Sequence, residues 1–524
     1  MRARRGASGT LAGATLTAVR RLILSSLLAA ALSGGTATAD VVRAPAHGGT
    51  IAGTPRADVL VGGRGADEIQ AAFGGVDRVR CGAGRDVVNA DLADRVASDC
   101  EVVARRLSVD PSTNPASQHE TAVEPDSFAW GPTVVAAFQL GRFAQGAASN
   151  VGTAVSTDGG RTWRRAVLPS LTVESTPPGT ETAASDPTVA YDAMHRVWLV
   201  GTLTIETGSS QIAVSRSSDG LQWARPVTVA TGPVLDKDWF ACDNGAASPY
   251  RGRCYATYTD DAAETTVVQH SDDGGVTWSP QVRASQTLVG TQPVIRPDGR
   301  LVIVAGDYAG EAGLTGSIDA LVSTDGGQTF ASNQVSALHT RSQGPLRAVA
   351  LPSVDVDSAG KIYAVWDDCS LRPTCAGNDL VLSTSSDGVH WTPPARIPIA
   401  AGGGAADAFL PGLAADQGHP GRLGLVYGYW QNACPDLCRL GIGFVSSADG
   451  GTTWSDPQRL STQPIRMSWL ARSEGGRMIG DYLSTSYAAG RVVPVFTLAL
   501  APRGSRLREA VFAASLPAVP QSDR

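Results

Sequence analysis

Four aspartates near the N-terminus have the spacing of a metal-binding coil. Asp58, Asp67, Asp77 and Asp86 are separated by 9, 10 and 9 residues, and glycines precede Asp67 and Asp86. Glycine allows a tight turn that directs backbone carbonyls inward, and aspartate adds a charged oxygen of the kind that Ca²⁺ prefers.

The same stretch carries an apolar residue two positions after each aspartate, which we expect to face the inside of a short strand. The pattern resembles the RTX nonapeptide Gly-Gly-x-Gly-x-Asp-x-apolar-x. This resemblance implies a calcium-binding parallel β-roll over residues 46–104. Turns two repeats apart lie on the same edge of such a roll, so we expect Asp67 to share a calcium site with Asp86, and Asp58 with Asp77. The alternative is a roll that no longer binds metal and is held together by a disulfide. The apolar residues are Leu60, Ile69, Val79 and Val88.

A second, longer repeat fills the rest of the chain. Its fullest copies read Ser-x-Asp-Gly-Gly-x-Thr followed by tryptophan or phenylalanine, and two copies are one residue shorter. The spacings of 61, 54, 52, 62 and 62 residues, with several short strands in each unit, are typical of propeller blades. Because such an aspartate can accept hydrogen bonds from amides of its own turn, we expect these residues to be structural. They are Asp158, Asp219, Asp273, Asp325, Asp387 and Asp449.

These units resemble the Asp boxes, or BNR repeats, of sialidases and related propellers. The resemblance implies an all-β chain whose residues 120–517 form a sialidase-like β-propeller, preceded by the short parallel β-roll and a linker at residues 105–119. In this family the boxes lie on the periphery of the blades. A strand–turn–strand phrase precedes each box and recurs after the last one, so we expect seven blades rather than six.

The resemblance to sialidases also implies a catalytic template. It consists of three arginines that bind a carboxylate, a nucleophilic tyrosine activated by a glutamate, and an aspartate as acid/base. The segment Gly480–Ser484 resembles the stretch that carries the nucleophile, which makes Tyr482 the candidate. The strand expected to open the propeller, His119–Val123, has no arginine. The Arg-Ile-Pro sequence at Arg396–Pro398 follows the fifth box, where we expect an outer strand.

Other charged residues could contribute to a site without belonging to a diagnostic motif. Arg296, Arg347 and Arg477 could build a cationic pocket. Asp236-Lys237-Asp238 precedes an expected inner strand and could begin a ligand-facing loop, although a solvated turn is the plainer interpretation. The chain has no Ser-His-Asp signature, no glycine-rich phosphate loop and no His-Glu zinc motif.

We therefore predict a secreted, calcium-assisted propeller that binds glycans or cell-surface material without catalysing a reaction. One alternative is an exo-sialidase-like glycoside hydrolase that uses Tyr482. Another is an extracellular scaffold for protein partners. The net charge of −6 and the scattered basic residues argue against nucleic acid as a partner. The sequence leaves the oligomeric state open.

The N-terminus and the cysteines both indicate export. Arg20-Arg21 precedes the apolar run 22–32, and Ala37-Thr38-Ala39 is a plausible cleavage site, which makes residues 1–39 a signal peptide. Either the general or the twin-arginine route would suit it. No later stretch has the length of a membrane span. Close pairs of cysteines predict disulfides in an oxidising compartment: Cys81–Cys100, Cys242–Cys254, Cys369–Cys375 and Cys434–Cys438.

Overall fold

The structure, a computed structural model, describes residues 40–309, 314–399, 407–431 and 438–519. The expected signal peptide and Cys434 lie outside these residues. Within them the chain is all-β, as the sequence predicts, with two single 3-10 turns at Pro373–Cys375 and Met467–Trp469. No helix in the described part is long and apolar enough to cross a membrane.

The N-terminal segment is a parallel β-solenoid of eight short strands. Odd-numbered strands form one parallel sheet and even-numbered strands the other. The four apolar residues predicted to face inward are at most 1% exposed, and they form a core between the two sheets. The strands are β1 (Val41–Arg43), β2 (Thr50–Ala52), β3 (Val59–Val61), β4 (Glu68–Gln70), β5 (Arg78–Arg80), β6 (Val87–Ala90), β7 (Arg95–Val96) and β8 (Val102–Arg106).

Antiparallel meanders follow, and each of the first six begins with a strand from the phrase that precedes an Asp box. The first three meanders each have four strands. The first contains β9 (Ala122–Trp130), β10 (Thr133–Arg142), β11 (Ala148–Ser156) and β12 (Arg164–Val167). The second contains β13 (Ala183–Asp192), β14 (Val197–Glu206), β15 (Ser209–Ser217) and β16 (Val227–Gly232). The third contains β17 (Leu235–Cys242), β18 (Cys254–Asp260), β19 (Thr265–Ser271) and β20 (Val282–Gln286).

Four further meanders complete the described chain. The fourth contains β21 (Val289–Ile295), β22 (Leu301–Ala309), β23 (Thr315–Ser323) and β24 (Ala331–His339). The fifth contains β25 (Ser353–Val356), β26 (Ile362–Asp368), β27 (Asp379–Ser385) and β28 (Ala395–Arg396). The sixth contains β29 (Ala408–Ala415), β30 (Leu423–Trp430), β31 (Arg439–Ser447), β32 (Gln458–Arg459) and β33 (Ile465–Arg466). After a hairpin of β34 (Ala471–Ser473) and β35 (Gly476–Met478), the seventh contains β36 (Ser484–Ala488), β37 (Arg491–Ala499), β38 (Glu509–Ala514) and β39 (Leu516–Pro517).

The first strands of the meanders pack against one another in a closed succession. Each contacts the first strand of the next meander, and β36 of the seventh contacts β9 of the first. Polar side chains join neighbouring strands in this ring. Asp126 accepts a hydrogen bond from the backbone amide of Val189 at 2.7 Å, and Asp355 accepts one from the amide of Ala415 at 2.8 Å.

The solenoid is joined to this ring by strand pairing. Strand β8 pairs antiparallel with β38, in the register Arg106 with Phe512 and Ala104 with Ala514. It thereby supplies the strand next to β38 in the seventh meander, which has no long fourth strand of its own. Asn89 of β6 also donates a side-chain hydrogen bond to the carbonyl of Leu460 at 3.1 Å.

The Asp boxes form the turns after the third strands of the first six meanders. In the third box, Asp273 accepts hydrogen bonds from the backbone amides of Val276 and Thr277 at 3.0 and 2.9 Å. Although partial burial acts in the opposite direction, these bonds and that of the Thr277 hydroxyl lower the pKa of Asp273 to about 2.

Each box packs on the preceding meander. In the sixth, a Cβ at Gly451 (φ +86°) would lie 2.2 Å from Leu382.

Three of the four predicted disulfides are present among the described residues: Cys81–Cys100, Cys242–Cys254 and Cys369–Cys375. The second joins directly opposed residues of β17 and β18.

Candidate functional site

The first strands of five of the seven meanders share one irregularity. Near its N-terminal end, each of these strands carries one residue more than the strand it pairs with, which is a β-bulge. Glu124, Asp186 and Lys237 occupy three of these bulges with φ of 52°, 45° and 54°. This left-handed region is uncommon for residues other than glycine and occurs often at functional sites. The bulges therefore bring charged residues from separate meanders together.

A cluster of charges lies where the bulges meet. The Lys237 ammonium lies 2.5 Å from Oδ2 of Asp481 and 3.6 Å from Oδ1 of Asp186. A guanidinium nitrogen of Arg347 lies 2.6 Å from the same Oδ2 of Asp481. We call Glu124, Asp186, Lys237, Arg347 and Asp481 the central charge cluster.

A chain of hydrogen bonds supports one side of the central charge cluster. Gln139 donates from its amide to Glu124 and, at 2.9 Å, to the Ser185 hydroxyl. Arg142 donates to the Gln139 carbonyl at 2.5 Å and to the Ser473 hydroxyl at 2.9 Å. Arg347 donates to the same hydroxyl at 3.2 Å. The β34–β35 hairpin, which contains Ser473, thus fixes the positions of both arginines.

Burial and neighbouring charges divide the acids of this region into two kinds. Burial raises the pKa of Glu124 to about 7, and the negative charge of Asp481 adds to this effect. Burial raises the pKa of Asp236, adjacent to Lys237, to about 7 as well. The pKa of Asp481 is lowered in spite of burial, because Lys237 and Arg347 stabilise its anion. Asp481 is therefore held as an anion, whereas burial favours the protonated forms of Glu124 and Asp236.

Asp238 is the most isolated acid of this region. Its side chain is 1% exposed, and neither carboxylate oxygen has a hydrogen-bond partner among the described residues. Burial raises its pKa well above the usual range, with Asp186 and Asp236 adding to the effect. The interpretation of Asp236-Lys237-Asp238 as a solvated turn is wrong, since all three lie within strand β17 and none of them is exposed.

Tyr482, the candidate nucleophile of the exo-sialidase alternative, reaches from the segment before β36 to the second meander. Its hydroxyl donates to the carbonyl of Pro187 at 3.2 Å, and its ring makes an edge contact with Trp239, with centroids 5.1 Å apart. Burial raises the pKa of the phenol well above its usual value, and Glu124 and Asp186 raise it further. Beside Tyr482 lies a cavity of about 30 Å³, with room for little more than a water molecule.

The arginines singled out in the sequence have different positions. Arg347 belongs to the central charge cluster. Arg477 donates to the carbonyl of Leu470 at 2.7 Å and pairs through its backbone with the segment that contains Arg347. Arg296 lies beside Asp298 rather than in the cluster. The arginine of the Arg-Ile-Pro sequence lies on the last strand of the fifth meander, as expected for an outer strand.

Sequence reasoning missed Glu124, Asp186, Gln139 and Arg142. A signal for the first two exists, because an acid–proline pair occurs at the same place in β9 and β13. No comparable signal marks Gln139 or Arg142, which follow on β10 as part of an ordinary strand pattern.

The predicted calcium ligands stack along the solenoid in the expected pairs. The amide of Asp58 donates to Oδ1 of Asp77 at 2.8 Å, and the amide of Asp67 donates to Oδ1 of Asp86 at 2.7 Å. Buried oxygens without a hydrogen-bond donor in the described chain remain on Asp58, Asp77 and Asp86. Both oxygens of Asp67 accept backbone amides, from Gly49 and another glycine. The Asp58–Asp77 pair therefore has more unpaired oxygen than the Asp67–Asp86 pair.

These unpaired oxygens suit a cation, but carboxylates alone would not complete its coordination. Among the described residues, the only group of three His, Cys, Asp or Glu side chains close enough to share an ion is Cys81, Asp99 and Cys100, and the two cysteines form a disulfide. Ca²⁺ takes six to eight oxygen ligands. Backbone carbonyls of the turns would have to supply most of them.

Comparison with known proteins identifies the repeat. The BNR/Asp-box repeat matches residues 269–280, which contain the third box. No curated protein matches the chain. The chain is thus an all-β protein that carries a BNR/Asp-box repeat.

Solved structures with detectable likeness include glycan-active enzymes. The Hadza microbial sialidase Hz136 is 16% identical, over 66% of this chain and 66% of its own length, with a TM-score of 0.41. A protein of unknown function from Dyadobacter fermentans DSM 18053 is 13% identical over 79% and 99%, with a TM-score of 0.43. A PL25 ulvan lyase is 11% identical over 78% and 97%, with a TM-score of 0.44.

Proposed function

We propose that this protein is an exported, non-catalytic propeller that binds glycans or cell-surface material. The seven meanders are its blades, because their first strands contact one another in a closed succession of seven. The solenoid is a calcium-assisted module of the RTX type, and β8 joins it to the seventh blade. Three short-range disulfides suit a protein that leaves the reducing cytoplasm.

The observation that carries the non-catalytic part of this proposal is the position of Asp481. A sialidase needs cations that are free to bind the carboxylate of its substrate. Here Lys237 and Arg347 both bind the carboxylate of Asp481. An incoming carboxylate would have to displace a buried, charge-paired side chain, which costs several kcal/mol. The protein's own anion therefore already engages the two cations that an anionic sugar would need.

The environment of Tyr482 supports the same conclusion. A phenol becomes a nucleophile when a base removes its proton, but this hydroxyl donates to a backbone carbonyl, which cannot accept a full proton. The surrounding acids oppose the phenolate because they add negative charge. The adjacent cavity of about 30 Å³ is also too small for a sugar ring.

The first experiment is hydrolysis of a fluorogenic sialoside by the purified protein and by Tyr482→Phe, with and without calcium. We expect no turnover from either protein, with equal thermal midpoints as the control for folding. Turnover that is lost in Tyr482→Phe would refute the non-catalytic proposal and support the exo-sialidase alternative.

Binding needs a separate measurement. We expect saturable binding of the labelled protein to one class of glycans on an array, with signal that unlabelled protein competes away. Absence of glycan binding, together with capture of a defined protein from the same surface, would instead favour the extracellular scaffold.

A further inference from the structure

The outward face of the solenoid sheet β1-β3-β5-β7 gathers arginines that are distant in the sequence. Strand residues alternate between the two faces of a sheet. Asp77 and Asp94 are buried, whereas the residues that follow them, Arg78 and Arg95, are exposed. Arg80 and Arg43 are also exposed and project from the same face. We call Arg43, Arg78, Arg80 and Arg95 the arginine face.

The register of the parallel strands places these side chains close together. Arg78 pairs directly with Arg95, and Arg80 pairs with Val61, which pairs in turn with Arg43. Neighbouring strands lie about 4.8 Å apart. Along the axis of the solenoid, the backbone positions of Arg78 and Arg95 are therefore about one strand spacing apart, and those of Arg43 and Arg80 are about two apart.

The arginine face has no ion-pair partner among the described residues. None of the four guanidinium groups has a hydrogen bond or ion pair with a described residue, and the other outward positions of the sheet are Val41, Val59 and Val61. Like charges directly opposite on neighbouring strands destabilise a sheet. Stability alone gives no reason for this arrangement in a chain whose net charge is −6.

We propose that the arginine face binds an extended anionic polysaccharide that carries carboxylate or sulfate groups. The planar fork of arginine matches both groups and pairs with them in a bidentate manner. Two short rows of charges along the solenoid axis suit a linear polymer that lies along that axis. The outward valines, of which Val41 is 56% exposed and Val59 and Val61 are half-buried, supply an apolar surface for the faces of sugar rings.

This surface is separate from the central charge cluster. It rests on the proposed function only in that export brings the protein to such polymers. A sialoside or array result that contradicts the proposed function would leave this inference unaffected, because the polymers are different and all the test substitutions lie in the solenoid.

The test measures binding of the full chain to immobilised polygalacturonate, which carries carboxylates, and to heparin, which carries sulfates in addition to carboxylates. The test variant is Arg78→Gln/Arg80→Gln/Arg95→Gln. The matched control is Arg161→Gln/Arg164→Gln/Arg225→Gln, which removes the same charge from exposed positions on the meanders.

We expect the test variant to bind at least one of the two polymers about tenfold more weakly than wild type, because each exposed pair contributes modestly. Its slope of log affinity against log salt concentration should fall by about 2. The control variant should bind as wild type does. The thermal midpoint of the test variant should be unchanged or higher, since like charges have been removed, and this excludes misfolding as the cause.

Equal binding by the test and control variants would overturn the proposal. Binding of double-stranded DNA or of phosphatidylglycerol vesicles, as tight as that of the polysaccharides and equally reduced in the test variant, would also overturn it. In that case the face would be a general attractor of anions.

Discussion

Asp481→Asn is the sharpest test of the site, because Asp481 neutralises two cations at once. The substitution keeps the size of the side chain and removes its charge. It leaves Lys237, whose side chain is 11% exposed, and Arg347, at 25%, without their shared anion. Removal of one partner of a buried ion pair costs about 3–5 kcal/mol. Because Arg347 retains some access to water, we expect about 3 kcal/mol, at the lower end of that range.

The assay is urea denaturation followed by tryptophan fluorescence, in which this loss corresponds to a fall of about 1 M in the midpoint. Asp272→Asn is the matched control, because Asp272 also pairs with an arginine, Arg253, but is 59% exposed. Its loss should stay below about 1 kcal/mol. Adding Lys237→Met to Asp481→Asn should recover part of the stability, since it removes a stranded charge. Equal effects of Asp481→Asn and Asp272→Asn would refute the argument.

Further expectations concern the pH dependence of stability, the metal and the Asp-box turns. Stability should fall as the pH rises from about 4 to 7, because burial raises the pKa of acids such as Asp355 to about 7 and these acids favour folding only while protonated. Thermal midpoints measured across this range should show the fall, and Asp355→Asn should make the midpoint less dependent on pH. A midpoint that rises with pH would contradict this expectation. Below about pH 4 the opposite trend should begin, since Asp273 has a pKa lowered to about 2 and loses its stabilising hydrogen bonds when it is protonated. Calcium should raise the thermal midpoint, and Asp77→Asn should abolish that increase; a midpoint insensitive to both calcium and chelator would exclude the metal. Gly451→Ala should lower the free energy of unfolding by about 1–3 kcal/mol in urea denaturation, because the added Cβ would lie 2.2 Å from Leu382. The control is Gly490→Ala, at a position that also has a positive φ but has open space around it, and its loss should be smaller. Equal losses would show that contact with Leu382 is not the cause.

The repeats could be predicted from the sequence because each depends on residues that are close together in the chain. An Asp box forms through a serine, an aspartate and two amides that all lie between Ser271 and Thr277 in the third box, so its sequence is sufficient to specify its turn. The solenoid coil is similarly local, with inward apolar residues fixed by the alternation of a strand. The short disulfides belong to the same class of feature.

The central charge cluster could not be predicted in this way. Its members come from the first three meanders, from the loop before the fifth and from the segment before the seventh. Glu124 and Asp481 are 357 positions apart in the sequence, yet the Glu124 carboxylate accepts a hydrogen bond from the amide of Asp481 at 3.3 Å. At the bulges, Glu124, Asp186 and Lys237 have positive φ. Glutamate and lysine rarely adopt this conformation, so their presence in the sequence does not indicate it.

Local contacts and distant contacts therefore differ in how far the amino-acid sequence specifies them. The repeat units, the turns within them and the closely spaced disulfides follow from near neighbours in the chain. Which charges meet depends on the folded chain, because closure of the ring brings Lys237 and Arg347 onto Asp481, and the parallel register of the solenoid aligns Arg78 with Arg95. Both arrangements join residues that are separated in sequence, and electrostatic interactions depend on distance in space rather than on position along the chain.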